Sequence, residues 1–481
     1  MYGIPFAFES AGIVLSAFLV LLMSGIAMIT MQWIVESLGR ATALENAAKS
    51  AMLRDEDDID IEGRNVEEDL VSADSDFADK VTPLFDIRNQ KFELNDLLAR
   101  LAGRRTGQIA AKVYEIAVLL FILGVLWLYA AVFASSLVAS VPLPGLTWGS
   151  DVCGGSSYDW NCQIGYWIFL FIFGVVMIGL SQLDLRGQIP VQLLLTVVSL
   201  ILMVVLFATC AFALMERPYD STKPHNNSPP YYMQQPWIKL SGFSMCFTTA
   251  VFAMQIHMSV PGLSMLIKKK KYAAPSIAGA MATVSISYIM LGIVTSLYFG
   301  SAVDSLITLN WKNYYNNSDS ALRWLTFGIS RMLLLFPPVT VSAAYPMYVV
   351  TGAETLVGVL PKSAVGPYGR IFNRLLRLLL AVIPLTLAVF MRNISSILNV
   401  TGLSAFAMMY FGPCLMQYRG KSLCMRRIGS SKTPYSNFLS SDWVVLAIFV
   451  FAVAAFLFSV TEVTLGIFNA VFPAHAIHIF G

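Results

Sequence analysis

The chain has 481 residues, of which 57% are hydrophobic and only 13% are charged, against roughly 25% charged residues in an average soluble domain. This composition excludes a water-soluble globular protein. The 32 Lys and Arg residues nearly balance 29 Asp and Glu residues, so a net charge of +3 provides no general attraction for nucleic acid. Six scattered Cys residues without a CxxC spacing predict neither a metal site nor another bound cofactor.

The predicted membrane spans follow a short apolar start at residues 1–8, which is too short to cross a bilayer. No basic segment precedes it, so we expect no cleaved signal peptide. Ten apolar runs then have the length of about 20 residues that crosses the hydrocarbon core. They lie near residues 12–35, 113–139, 164–183, 191–214, 240–259, 276–300, 321–350, 374–391, 394–417 and 443–470. The sequence therefore predicts an all-α polytopic membrane protein.

The expected domain organisation follows from these spans. A truncated first helix and the second transmembrane helix occupy residues 1–35, and transmembrane helices three to eleven occupy 112–470, with a short extracytosolic tail at 471–481. Residues 36–111 contain 17 acidic and 10 basic residues, so most of this segment is expected to be a disordered cytosolic loop. It is either a simple tether or a docking segment for a cytosolic partner. Residues 92–98 within it are expected to form a short amphipathic helix against the membrane.

The orientation of the spans follows from the Lys and Arg residues, which are retained on the cytosolic side. If residues 36–112 are cytosolic, the loops on that side contain 25 of these cations, and the opposite loops contain 5. Cys153 and Cys162 then lie in one outer loop, where an oxidising environment permits a disulfide. Asn226 and Asn316 begin glycosylation sequons that also lie outside. Two free thiols and unused sequons are the alternatives.

Four charged residues lie within or at the edge of the spans, where an ionisable group is costly and is a functional candidate. They are Glu9, Glu115, Arg331 and Glu462. Glu115 lies one turn inside its span and its side chain can extend to the interface. Arg331 lies deeper and requires a carboxylate, carbonyl groups or water, so a structural pairing and a gating role both remain open. Packing within the bundle is the favoured interpretation for Glu462.

The segment from residue 247 to 262 starts as a membrane helix but contains several polar groups. Thr248, Thr249, Gln255 and His257 precede Pro261, and the following Gly completes a pair that ends or kinks a helix. Such a segment normally lines a cavity, because its free backbone groups cannot face lipid. A packing role for His257 is the alternative to proton or ligand binding.

A second polar stretch, FPPVTVSAAYP at residues 336–346, contains Thr340 and Ser342. Its prolines leave carbonyl groups free, and its two hydroxyls can hold a cation or a substrate, or can simply bond to the preceding turn. Tyr129, midway along another span, is a candidate to close over a substrate, with ordinary packing as the alternative.

The chain start repeats part of this pattern, because GIPFAFE at residues 3–9 resembles VFAMQ at 251–255. If the two helices correspond, the first five and next five helices form two halves of opposite orientation. Short or interrupted segments at matching places in two halves indicate a transporter site near the bilayer midplane. This interpretation adds an eleventh helix to a 5+5 arrangement.

The stretches GIPFAFESAGIVLS, FAMQIHMSVPGLSMLIKKKK and LLLFPPVTVSAAYPMYVVTG resemble the amino acid/auxin permease family, AAAP, of the amino acid–polyamine–organocation (APC) superfamily. The resemblance extends from Met1 to about Gln417. It implies a LeuT-like 5+5 inverted-repeat bundle of eleven helices with a cytosolic N-terminus. It also implies amino acid symport with protons or sodium. A long acidic loop after the second helix, with stretches such as DSLITLN and NISSILNVTGLSAF, indicates one branch of the family.

Carried over by position, the resemblance predicts a substrate site between the broken first and sixth helices. Its residues are Gly3, Ile4, Pro5, Thr248, Thr249, Phe252 and Gln255, and Tyr129 is the separate candidate to close over the substrate. Thr340 and Ser342 match the region where sodium-coupled relatives bind their ion, and His257 and Arg331 are further candidates for ion coupling. The family's Gly-x-Gly motif before Pro5 is missing. We therefore expect either a truncated gene model or a protein without part of the site.

Two functions are consistent with these features. The first is a secondary active transporter that moves amino acids or related small zwitterions by alternating access. The second is a membrane amino acid sensor or regulatory protein that signals through its acidic loop. An enzyme is disfavoured because no acid, base and nucleophile are clustered on one span, and a channel because no charged rings repeat. The expected location is the plasma membrane or an endolysosomal or vacuolar membrane.

Overall fold

The computed structural model describes residues 3–57, 85, 87, 94–102, 104–141, 143, 160–183, 185–216, 237–311, 323–359 and 369–471. No β-strand occurs within these ranges. The α-helices are numbered in chain order as α1 (Ile4–Ala11), α2 (Ile13–Asp57), α3 (Leu94–Leu101), α4 (Arg104–Ser140), α5 (Trp160–Ser181), α6 (Leu185–Glu216), α7 (Phe243–Ala253), α8 (Val260–Leu266), α9 (Ala273–Phe299), α10 (Arg323–Val359), α11 (Gly369–Phe390), α12 (Ile394–Phe406), α13 (Gly412–Ile428) and α14 (Asp442–Val471). Short 3-10 segments include Leu240–Gly242, His257–Ser259 and Ile307–Trp311, and a π-helical turn at Ala407–Phe411 joins α12 to α13.

Ten helical stretches among the described residues are long and apolar enough to cross a bilayer. Their number and order agree with the ten predicted spans. One of the ten, Leu240–Leu266, consists of α7 and α8 with a non-helical interruption between them. The chain is therefore a multi-pass integral membrane protein in which one span is discontinuous.

Helix α1 has only eight residues and packs against α2, α7 and α9. Two glycines allow this close approach. A Cβ added to Gly242 would overlap the carbonyl oxygen of Ser10, and one added to Gly292 would lie 2.5 Å from the ring of Phe8. Small residues of this kind let helix backbones meet closely in a membrane, where packing drives association.

The junction between α1 and α2 is bound to the segment that precedes α7. Gly12 adopts a positive φ of 84°, which favours glycine. The Lys239 backbone N–H donates to the Ala11 carbonyl at 2.8 Å, and the Val14 N–H donates to the Trp237 carbonyl at 3.0 Å. These two bonds hold the end of α1 beside the start of α7. The predicted inverted-repeat arrangement of the whole bundle stays a prediction.

Helix α3 lies inside the predicted cytosolic loop and packs against α2, α4 and α13. Its four leucines are buried, namely Leu94, Leu97, Leu98 and Leu101. Arg100 also forms an ion pair with Glu45 of α2 at 3.3 Å. The expected amphipathic helix is thus present, and its apolar face contacts the protein's own helices. Helix α2 continues to Asp57, beyond the expected boundary at residue 35, whereas residues 58–84 lie outside the described residues, as does the predicted tail after residue 471.

A fully buried ion pair connects α2 to α13 and to the segment before α14. Glu36 and Arg40, one turn apart on α2, meet at 2.9 Å with both side chains inaccessible to solvent. Gln417 accepts from Arg40 at 2.6 Å and donates to Glu36 at 3.0 Å. Ser436 donates to Glu36 at 3.2 Å, and Ser440 donates to its other oxygen. A buried charge pair is tolerated only when such additional hydrogen bonds are present.

Candidate functional site

The candidate substrate site is built around the interruption between α7 and α8. Helix α7 ends at Ala253, residues 254–256 are not helical, and a 3-10 turn at His257–Ser259 leads into α8. Pro261 lies in the first turn of α8, a position where its missing N–H costs no helical hydrogen bond. The break therefore precedes the Pro-Gly pair, and the proline begins the second helix instead of ending the first.

The interruption exposes polar groups inside the bundle. The side-chain nitrogen and oxygen of Gln255 are both buried and have no hydrogen-bond partner among the described residues. His257 is fully buried, and its Nε2 lies 2.8 Å from the hydroxyl of Thr30 on α2. Its Nδ1 is buried without a partner in the described part of the chain. Because buried polar groups are almost always hydrogen-bonded, these atoms are candidates for contact with a ligand or with water.

The start of α1 lies beside α7, about one turn before the interruption. A Cβ added to Gly3 would lie 3.8 Å from the Thr249 methyl and 3.1 Å from Leu398 of α12. The Thr248 hydroxyl donates to Asn399 Oδ1 on α12 at 2.6 Å. The structure thus brings the predicted residues of the first and sixth helices together, and it adds Asn399, which sequence reasoning missed.

Two aromatic residues of the predicted site pack against neighbouring helices. Phe252 contacts Phe121 of α4, with ring centroids 5.7 Å apart. Tyr129 meets Tyr348 of α10 edge to face at 5.9 Å. These contacts are those of ordinary packing aromatics. Ile4 and Pro5 of α1 are buried, and the substrate-binding role of all four stays a prediction.

The predicted ion-coupling hydroxyls lie on α10, which remains helical through its three prolines. Thr340 bonds to the carbonyl of Phe336 at 2.9 Å, in the preceding turn, and its oxygen lies 3.3 Å from the hydroxyl of Ser199 on α6. Pro346 has no N–H to donate to the carbonyl of Ser342, one turn earlier. An ion-binding role for Thr340 and Ser342 stays a prediction.

Arg331 belongs to α10, and its hydrogen bond is to the end of α4. Its guanidinium donates to the carbonyl of Ser140, the last residue of α4, and lies 5.0 Å from the Phe327 ring centroid. A cation at a helix C-terminus is stabilised by the helix dipole. This contact provides a carbonyl partner for the half-buried arginine, and its role in ion coupling stays a prediction.

A cavity of about 200 Å³ lies among α3, α4, the start of α8 and the end of α10. Its lining is formed by Leu94, Asn95, Tyr114, Val118, Met258, Ser259, Pro261, Gly262, Thr351, Glu354 and Thr355. Met258 and Ser259 directly follow the interruption, so the cavity begins where the broken helix resumes. Sequence reasoning identified this segment but none of the lining residues from α3 and α10. The spacing of 351, 354 and 355, which places all three on one helix face, was the available signal.

The predicted outer-loop features lie mostly beyond the described residues. Cys162, in the first turn of α5, is disulfide-bonded, whereas Cys153 lies outside the described residues, as do Asn226 and Asn316. The pairing of the two cysteines and the use of the sequons stay predictions. Among the charged candidates, Glu9 and Glu462 are half-buried.

Residues 94–464 match the family model described as transmembrane amino acid transporter protein. The chain belongs to this transmembrane amino acid transporter family. This chain is 20% identical over 476 residues to the transmembrane protein 104 homolog of Dictyostelium discoideum. The alignment covers 90% of this chain and 89% of that relative. This chain is also 20% identical over 483 residues to transmembrane protein 104 of Homo sapiens, covering 96% and 92% of the two chains.

A third relative of this chain is the transmembrane protein 104 homolog of Drosophila melanogaster. It is 26% identical over 208 residues, which cover 42% of this chain and 41% of that relative. The branch indicated by the acidic loop and by DSLITLN is that of transmembrane protein 104, and these relatives confirm it. Their names state a membrane location and no substrate.

Proposed function

We propose that the chain is a secondary active transporter that moves amino acids or related small zwitterions across a membrane by alternating access. The observation that carries this proposal is the interrupted span at residues 254–256, next to the short helix α1, with the buried amide of Gln255 facing no protein partner within the described chain. A discontinuous helix near the bilayer midplane can bind a charged solute through its helix termini and free backbone groups, without charged side chains. Membership of the amino acid transporter family supports this function.

The ends of the two helices provide complementary charge for a zwitterion. The N-terminus of α1, which begins after Gly3, carries a partial positive charge and would attract the substrate carboxylate. The last carbonyl groups of α7, before residue 254, carry a partial negative charge and would attract the ammonium group. Gln255 would then orient the solute through its amide.

The candidate groups for the coupling ion lie in two places, beside the interruption and on α10. His257 and Thr30 connect the turn after the break to α2, and a proton on the imidazole would alter this bond. Thr340 and Ser342 on α10 would provide oxygen atoms for sodium. The hydrogen bond of Thr340 to the preceding turn leaves its lone pairs available. A sodium gradient and a proton gradient therefore need separate tests.

The proposal is tested by uptake into liposomes that contain the purified full-length chain. Radiolabelled amino acids are supplied singly, with an imposed sodium gradient, an imposed pH gradient or neither. We expect Gln255→Leu to reduce uptake on the order of tenfold, the effect of one lost hydrogen bond to a bound solute. Gln108→Leu, the same change at an exposed position of α4, is the matched control and should retain uptake.

Three outcomes separate the candidate functions. Accumulation that depends on a gradient and falls in Gln255→Leu supports the transporter. Saturable amino acid binding without flux under any gradient contradicts it and favours the sensor, in which residues 36–111 contact a cytosolic partner. Equal uptake by Gln255→Leu and the parent chain would remove the interrupted helix from the substrate site.

A further inference from the structure

The cavity beside the interrupted helix has an unbalanced set of polar groups. Its lining includes one carboxylate, Glu354, and contains no Lys, Arg or His among the described residues that form it. The remaining polar groups are neutral. They belong to Asn95, Tyr114, Ser259, Thr351 and Thr355. A solute in this cavity would therefore meet hydrogen-bonding groups and a single negative charge.

Tyr114 lines the cavity and carries an unsatisfied polar group. Its side chain is 4% exposed, and its hydroxyl is buried without a hydrogen-bond partner in the described part of the chain. Gly412 packs against the ring, because a Cβ added to it would lie 2.7 Å from Tyr114. An unpaired buried hydroxyl of this kind is costly, but its oxygen is inaccessible and therefore does not face the open volume of the cavity.

The volume and position of the cavity define what it can admit. About 200 Å³ is far more than the roughly 10 to 15 Å³ that one water requires, so a solute of several heavy atoms fits. The cavity lies between the interruption that separates α7 from α8 and the side that the Lys and Arg distribution assigns to the cytosol. Leu94 and Asn95 of α3 line it from that side, and the four buried leucines of α3 hold this helix in place.

We propose that this cavity is a second solute site, on the cytosolic side of the interrupted helix, that binds the ammonium group of a small amine or amino acid. Glu354, whose side chain is exposed, is the counter-ion, and Thr351 is a hydrogen-bonding partner. The site selects cations over anions because of its single carboxylate. Its use as the place of substrate release rests on the proposed transport function, whereas its charge selectivity does not.

The selectivity is measured on the full-length chain in liposomes through a cysteine placed in the cavity. Thr351→Cys is similar in size to the original side chain and lies one turn before Glu354. It is treated with two methanethiosulfonates of similar size, one bearing an ethylammonium group and the other an ethylsulfonate group. The parent chain, whose four described free cysteines are buried, gives the background. Ser259→Cys is the second reporter, at an exposed residue of the same lining.

We expect the ammonium reagent to modify Thr351→Cys faster than the sulfonate by on the order of tenfold. Adding Glu354→Gln should abolish this preference, whereas Glu462→Gln on α14, the same change outside the cavity lining, should leave it intact. A preference that survives Glu354→Gln would overturn the proposal. Absence of any preference at both reporters, or absence of modification at both, would do the same.

A soluble probe tests binding of the ammonium group itself. L-Alaninamide, which has an ammonium group and no carboxylate, should slow modification of Thr351→Cys at millimolar concentration. The neutral N-acetyl-L-alaninamide should not, and equal protection by both would refute the ammonium site. Uptake is measured in the same liposomes. Intact charge preference without flux would contradict the transporter alone, and flux with no charge preference would contradict the second site alone.

Discussion

Replacing Arg40 by Met should lower the free energy of unfolding by about 3 to 5 kcal/mol, the usual cost of removing one partner of a buried ion pair. Both Arg40 and Glu36 are inaccessible to solvent. The variant would leave the Glu36 carboxylate in the protein interior without its cation. A methionine of similar length fills most of the space, so the loss of charge pairing dominates over the loss of volume.

The hydrogen bonds of Arg40 support this magnitude. Its guanidinium donates to Glu36 at 2.9 Å, to Gln417 Oε1 at 2.6 Å and to the carbonyl of Ser431 at 3.3 Å. The variant therefore leaves two neutral acceptors unpaired as well, and each buried unpaired group costs about 1 to 3 kcal/mol. The carboxylate keeps its bonds from Gln417 and two serines, which limits the penalty to the range above.

Reversible unfolding of the purified chain by SDS in mixed micelles, followed by circular dichroism, measures the difference. Arg100→Met is the matched control, because Arg100 also pairs with a glutamate of α2, Glu45, but its side chain is 52% exposed. An exposed pair contributes about 0 to 1 kcal/mol. Equal losses in the two variants, or a loss under 1 kcal/mol for Arg40→Met, would refute the assigned role of burial.

Two further predictions concern helix packing and ion coupling. Gly242→Ala should destabilise the bundle by about 1 to 3 kcal/mol through overpacking against Ser10, and Gly262→Ala, where a Cβ has open space, should not. Size-exclusion profiles after heating compare the two, and identical profiles would contradict the close contact. Thr340→Ala should abolish sodium-dependent uptake while retaining any proton-dependent uptake. Uptake by the parent chain that does not respond to sodium would refute this role, and the contact of Thr340 with Ser199 would then be structural only.

Hydropathy alone was sufficient to predict the number and order of the membrane helices, because a span needs a fixed length of apolar chain. The interruption between α7 and α8 was also predictable, because Gln255 and His257 are polar residues that lipid does not accept. The residue at which the helix breaks could not be predicted. Pro261 suggested a helix end, yet proline is equally suited to a helix start, and the sequence does not distinguish the two.

The features that sequence reasoning missed depend on contacts between distant segments. Glu354 and Tyr114 line one cavity although 240 residues separate them, and no local pattern connects them. Glu36 and Arg40 were assigned to a solvated loop because their segment is rich in charge. The i,i+4 spacing of a glutamate and an arginine was a signal of continued helix, but their burial comes from Gln417, which lies on a helix near the other end of the chain.

The two backbone bonds at residues 11–14 and 237–239 have a mechanical consequence for alternating access. They join the end of α1 to the segment before α7 through backbone groups, which substitutions other than proline leave in place. The two halves of the proposed substrate site therefore share one attachment point, at the end of the interrupted span that lies away from the cavity. If either helix tilts, the other must follow it or these bonds must break, so the two helices would move as one unit.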